Sequence, residues 1–205
     1  LRGLGVVVRV GVLIDYQNIH LTARDLFGRP GTGARETLIH PALFAERLVR
    51  VRAATVSDAT QVVSIAVFRG VPSNAKQPDL YAAAQAQRSQ WTRDPRVRVH
   101  YRPLRYGRRP DEPPREKGVD VHLAVELVRA VYLVPGLDVA VVASHDRDLE
   151  PALDLAAGSG RVSVETVGWH QRPPLRVRGR LLRHTTLGLP DFLAARDPRD
   201  YWRRA

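Results

Sequence analysis

The sequence of 205 residues contains no cysteine, which excludes a disulfide framework, thiol catalysis and a cysteine-ligated zinc ribbon and suits a reducing cytoplasm. Methionine is absent as well, even at position 1. Lysine is nearly so: Lys76 and Lys117 are the only two, and every other residue in the Lys plus Arg total of 32 is arginine. Arginine's planar fork matches phosphate oxygens, although a GC-rich genome produces the same bias. Acids are the scarce sign, 21 Asp and Glu against those 32, for a net charge of +11. A surface of that potential favours a polyanionic partner. The opening Leu1 to Val12 is apolar but carries Arg2, Arg9 and three glycines. It is too short to span a bilayer and lacks a small-residue cleavage site, so the cytoplasm is the expected compartment. What is present, 44% hydrophobic and 26% charged residues, excludes global disorder and fits one compact domain.

Val6 to Ile14 is β-branched, almost wholly apolar and stops at the polar cluster Asp15-Tyr16-Gln17-Asn18, the pattern of a central parallel strand buried on both faces. Pro41 to Ala53 carries Leu43, Phe44, Leu48 and Val51 at helical spacing, and Gln61 to Phe68 is a second buried-strand run, which makes a β-α-β unit. Pro78 to Arg93 then reads as an alanine-rich helix, Val97 to Leu104 as a strand and Val119 to Leu133 as a strongly apolar helix. Leu137 to Ala143 is a fourth strand, Leu149 to Ala157 a short helix ending at Gly158, and Val162 to Trp169 a fifth strand. The pattern predicts an α/β domain with a mostly parallel, five-stranded, doubly wound sheet flanked by helices. Gly28 to Ala34 and Arg105 to Gly118 break the rhythm and read as mobile surface loops. Beyond Gln171, Arg172, Arg176, Arg178, Arg180 and Arg183 crowd together, and the apolar stretch Leu181 to Leu193 is placed to dock on the domain.

In so basic a chain the informative acids are those at the ends of buried elements, because a desolvated carboxylate is costly without a cation. Asp15 ends the first strand, Asp120 opens the apolar helix in Lys117-Gly118-Val119-Asp120, and Asp146 and Asp148 follow the fourth strand in Ser144-His145-Asp146-Arg147-Asp148. Open parallel sheets bind ligands outside the carboxyl ends of their strands, where strand order reverses, so these carboxylates converge if strands one and four are neighbours. Converging oxygens without cysteine or a histidine pair favour a hard cation, Mg²⁺ or Mn²⁺. Beneath an arginine-rich rim, such a metal is the equipment for hydrolysing a phosphodiester.

At these residues the chain resembles the NYN domains of the PIN-like nuclease superfamily: Val12-Leu13-Ile14-Asp15-Tyr16-Gln17-Asn18, Lys117-Gly118-Val119-Asp120 and Ser144-His145-Asp146-Arg147-Asp148 occur in the family's order. The resemblance covers about Val10 to Trp169. It implies a Rossmann-like, PIN-like domain over residues 6–171, with 172–205 an arginine-rich extension packing on it. It also implies a divalent-metal-dependent ribonuclease whose acidic cluster is Asp15, Asp120, Asp146 and Asp148, with Asn18 and Ser144 orienting the ligands or bound water. Two departures stand out. His145 occupies a position that is commonly small in the family, and the next helix acid, Glu126, lies six residues beyond Asp120. Six residues is about 240° round a helix of 3.6 residues per turn, so Glu126 flanks the site at most.

Each acid also has a structural reading. Asp15 alone reads as an Asx-turn, Asp120 as a helix N-terminal charge, and Asp146 and Asp148 as helix N-caps, one capping while the other binds metal. The seven histidines show no partner pattern, so none, His145 and His170 included, is assigned to catalysis. Trp91, Trp169 and Tyr106 are assigned to packing in preference to base stacking. The expected enzyme is therefore a ribonuclease in which Asp15, Asp120, Asp146 and Asp148 hold Mg²⁺ or Mn²⁺, Asn18 supports them, and a metal-activated water attacks phosphorus. Lys117, Ser144, Arg147, Arg172 and Arg176 are the expected contacts to RNA, and a homo-oligomer is left open. The main rival is an RNA-binding domain of the same fold without turnover. A phosphatase of the haloacid dehalogenase kind ranks low, because Gln17 stands where its second aspartate belongs.

Overall fold

The computed structural model describes residues 7–56, 58–109, 112–178 and 182–202. Six strands and six α-helices are found among them: β1 (Val7–Asp15), α1 (Tyr16–Phe27), α2 (Pro41–Ala53), β2 (Ala59–Val71), α3 (Pro78–Trp91), β3 (Val97–Pro103), α4 (Val119–Leu133), β4 (Val139–Ala143), α5 (Glu150–Gly158), β5 (Ser163–Trp169), β6 (Arg183–Leu187) and α6 (Leu189–Ala195). The strands form one sheet in the order β3-β2-β1-β4-β5-β6, every neighbouring pair parallel. Among the described residues no helix is long and apolar enough to cross a membrane.

Alternation along β1 divides the interior in two. Val10, Val12 and Ile14 point into one core with Ile19 and Ala23 of α1, Phe44 and Leu48 of α2 and Trp91 of α3. Leu13 points into the other, with α4 and α5. In α4 the residues Val119, Leu123, Leu127 and Val131 recur every four positions and are all buried, so one stripe of the helix lies against the sheet. Burying both faces of a parallel sheet is what its nearly continuous apolar strands require.

The sheet has six strands, not the expected five. Arg183-His184-Thr185-Thr186-Leu187 was expected within a basic cluster and a docking stretch, yet it extends from Glu165↔Arg183 to Trp169↔Leu187 along β5. Only Thr185 and Leu187 are buried in it; a short, charged edge strand of this kind carries little hydrophobic signal and blunts edge-to-edge association. α6 follows and sends Phe192 and Ala195 into the core beside Trp169. A second difference lies after β1, where the polar cluster continues directly into α1, with Tyr16, Ile19, His20 and Ala23 buried. Val6, Arg180 and Leu181 lie outside the described residues.

Among the described residues one ion pair is buried on both sides. Arg52 of α2 donates from Nε and Nη2 to the two carboxylate oxygens of Glu165 in β5, both at 2.8 Å. The residues are 5% and 3% exposed, so the bidentate geometry must compensate two desolvated charges.

Candidate active site

β1 lies between β2 and β4, with Ile14 opposite Ala143. From β1 the chain builds outward to β3 on one side and returns to build β4, β5 and β6 on the other. The crevice at that reversal, beyond the carboxyl ends of β1 and β4, is where sheets of this type bind ligands. Asp15 and the Ser144-His145-Asp146 turn therefore meet there for a topological reason.

Hydrogen bonds fix the meeting. Asp15 is 6% exposed; its Oδ2 accepts from the Ser144 hydroxyl at 2.9 Å and its Oδ1 from the Asn18 N–H at 3.4 Å, which also caps α1. Ser144 Oγ in turn accepts from the Asp146 N–H at 3.0 Å. Asn18 Oδ1 accepts from the His145 N–H at 2.9 Å, tying the first turn of α1 to the turn after β4. Asp146 Oδ1 accepts from the Asp148 N–H at 3.0 Å and so caps the short 3₁₀ turn Arg147–Leu149.

A cavity of about 390 Å³ opens beside this network, lined by Asp15, Asp146, Lys117, Gly118, Asp120 and Glu116. Asp120 reaches it from the first turn of α4, which Gly118 precedes as the N-cap residue. Gly118 has φ +73°, a left-handed position that a side chain would strain, and a Cβ there would touch the Arg102 guanidinium. Asp15, Asp120 and Asp146, expected together, are thus on one cavity.

Glu116 was missed by sequence reasoning. It lies in the aperiodic stretch read as a surface loop, but Arg105 and Arg115 close that stretch with paired backbone hydrogen bonds of 2.8 and 2.9 Å. Glu116 then turns inward and accepts from the Gly70 N–H at the end of β2. A Cβ at position 70 would collide with Leu104 and with Glu116 itself, so glycine is what allows the carboxylate to approach. The available signal was the position of Glu116 directly before Lys117-Gly118-Val119-Asp120.

Burial dominates the electrostatics of these acids. Burial, foremost, pushes the Asp15 carboxyl up to about 7; the Ser144 hydroxyl opposes this, while the negative charges of Glu116 and Asp146 add to it. Burial also raises Glu116, opposed by the Gly70 N–H and by Arg69. His145 is held down to about 4, chiefly by burial and then by His184 and Arg172. Its Nε2 accepts from the Trp169 N–H at 3.2 Å, so the lone pair a general base would use is already engaged.

Other expected site residues lie elsewhere. Asp148 is exposed and faces a groove between α4 and α5 that it shares with Asp120, Val121, Val125 and Leu155. Arg147 is exposed, with Nε 3.5 Å from Glu150. Arg172 and Arg176 are exposed on the chain after β5, and the Arg176 N–H donates to Glu150. Glu126 pairs with Arg129 at 2.8 Å and lines a separate cavity with Gly11, Ser64 and His100. Trp91 and Trp169 are fully buried, and the Tyr106 hydroxyl is bonded to Gln77 and Ser73.

The donor set around the cavity is carboxylate oxygen, the chemistry that suits a hard divalent cation. Among the described residues no group of three or more His, Asp or Glu side chains is arranged to hold a metal ion.

A parallel sheet with acids gathered at its strand-order reversal defines an α/β domain with an acidic site. A family model for the NYN domain matches residues 9–177, and the chain belongs to that family, whose members are generally nuclease-like. No match was found among curated proteins. Among solved structures, the crystal structure of a protein of unknown function from Vibrio parahaemolyticus is similar, with 17% identity and a TM-score of 0.56 over 88% of this chain and 93% of that one. At that identity the likeness concerns the fold alone.

Proposed function

We propose that this chain is a divalent-metal-dependent ribonuclease of Rossmann-like, PIN-like architecture that hydrolyses RNA phosphodiester bonds in the cytoplasm. The observation that carries the reading is the convergence of Asp15, Asp120 and Asp146, joined by Glu116, on one cavity at the β1/β4 reversal. These carboxylates would hold Mg²⁺ or Mn²⁺. When bound, the ion supplies phosphate-charge neutralisation and lowers the pKa of water. Ser144 and Asn18 keep Asp15 and the Asp146 turn in register, and Lys117 places a cation on the cavity wall for the phosphate. RNA as substrate is supported by family membership and by the net charge of +11.

The test is incubation of end-labelled single-stranded RNA with the protein in Mg²⁺, Mn²⁺ or EDTA, beside Asp146→Asn. The asparagine keeps an oxygen to accept from the Asp148 N–H, so the turn survives the change. Cleavage that needs both metal and Asp146 is expected. Cleavage in EDTA, or full activity in the variant, contradicts the mechanism, and salt-sensitive binding without products identifies an RNA-binding domain instead.

A further inference from the structure

A second cavity, of about 260 Å³, is lined by Gly70 together with Gln17, His20, Arg35, Arg69, Gln87 and Trp202 among others. Gly70 lines it while giving its N–H to Glu116, which lines the carboxylate cavity, so one hydrogen bond links the two.

Three of its six polar side chains, Arg35, Arg69 and Trp202, can only donate. Arg69 is half-buried, stacked 4.8 Å over the Tyr16 ring and 5.9 Å from the Trp91 ring centre. It gives one N–H to Gln87 at 2.7 Å, of the five a guanidinium carries. Arg35 lies 4.8 Å over the Trp202 ring. Among the described residues neither arginine has a carboxylate within ion-pair distance, whereas Arg24, Arg47, Arg52, Arg96, Arg129, Arg147 and Arg183 all do. Among the described residues the buried Trp202 indole N–H has no acceptor. His20 is held down to about 4, by burial first and then by Arg69, and its Nε2 lies 2.9 Å from the Ala34 carbonyl oxygen.

Two aromatic-backed guanidinium groups without a carboxylate partner and an indole N–H without an acceptor, all counted among the described residues, describe an anion site. We propose that this cavity is a phosphate subsite for the RNA strand, in which Arg35 and Arg69 grip one phosphate group next to the carboxylate cavity and the Trp202 N–H completes the contact. The proposal rests on the RNA reading of the neighbouring site. Arginine's fork suits phosphate oxygens, and the rings behind it hold each guanidinium in place without spending its hydrogen bonds. The phosphate has two possible sources, an internal phosphodiester a short way along the chain or a terminal 5′-phosphate.

The experiment measures fluorescence anisotropy of a short 3′-labelled oligouridylate, 5′-phosphorylated or 5′-hydroxyl, with the full chain in EDTA across a salt series. Wild type, Arg35→Gln, Arg69→Gln and Trp202→Phe are compared, and each is assayed for cleavage separately. Arg35 is exposed and Trp202→Phe keeps the ring, so these two remain informative even if Arg69→Gln, which unstacks from Tyr16, fails to fold. Arg35→Gln is expected to weaken binding and to flatten the slope of log K against log salt by about 0.7, the value for one phosphate contact on a single strand. Trp202→Phe is expected to weaken binding by less. Loss confined to the 5′-phosphorylated oligomer assigns the terminal phosphate; equal loss on both assigns an internal one. Wild-type affinity and slope in both Arg35→Gln and Trp202→Phe overturn the subsite, even if the wild type cleaves RNA with metal. Flattened slopes in a protein that never cleaves leave the subsite standing and remove the nuclease reading.

Discussion

Glu165 in β5 and Asp15 at the end of β1 are both almost completely buried, 3% and 6% exposed, yet their surroundings differ. Glu165 receives two guanidinium hydrogen bonds of 2.8 Å from Arg52 and has Arg183 at 3.7 Å. Asp15 receives a hydroxyl and a backbone N–H, with Glu116 and Asp146 adding negative charge. The chain has 32 Lys and Arg and places two of them on Glu165, so the missing cation at Asp15 is a matter of placement rather than of supply. A buried carboxylate matched by arginine belongs to the framework; one kept among other carboxylates at a strand-order reversal is poised for a cation from solution.

The contrast breaks most severely at its matched end. Arg52→Met leaves Glu165 buried with Arg183 alone, and is expected to cost about 3–5 kcal/mol in urea unfolding. A loss within the range of ordinary surface substitutions, about 0.5 kcal/mol, would mean that the pair contributes nothing.

At the unmatched end the effect depends on pH. The Asp15 pKa rises from 3.8 to about 7 on folding, so between those values the folded chain keeps a proton that the unfolded chain has lost. Stability in metal-free buffer therefore falls as pH rises through that window and levels off above it, by about 4 kcal/mol at most at 1.36 kcal/mol per unit. Asp15→Asn removes this dependence. The difference between wild-type and variant unfolding free energies, measured from pH 4 to pH 8, should carry it; a constant difference would place Asp15 in an ordinary carboxylate environment.

The smallest expected effect sharpens the role of Glu116. Gly70→Ala pushes a methyl group into Leu104 and Glu116, with an expected overpacking cost of about 1–3 kcal/mol. Because Glu116 must shift, metal-dependent RNA cleavage should fall more than stability alone explains, at a temperature where the variant is folded. Unchanged cleavage would reduce Glu116 to a loop anchor.

Much of this site was legible in the sequence because strand ends are. The apolar run ending at Asp15 and the one ending at Ala143, just before Ser144, belong to β1 and β4, and strand adjacency brings their termini together whatever the loops do. Asp120 was legible as the first acid of an apolar helix. Glu116 was not, because its burial comes from the Arg105–Arg115 closure and from Gly70, two features without periodicity. Asp148 shares a short motif with Asp146, but the 3₁₀ turn between them aims it at the α4/α5 groove. β6 was hidden by its composition: only Thr185 and Leu187 are buried in it, while its arginine and histidine read as surface.

The most direct test of the contrast is thermal unfolding of wild type and Asp15→Asn at pH 8, each with and without Mg²⁺. A ligand that binds only the folded state raises its stability by mass action. Mg²⁺ is expected to raise the wild-type midpoint and leave that of Asp15→Asn nearly unmoved, because the carboxylate that lacks a cation has been removed. Equal shifts in both proteins, or none in either, would contradict a cation site at Asp15.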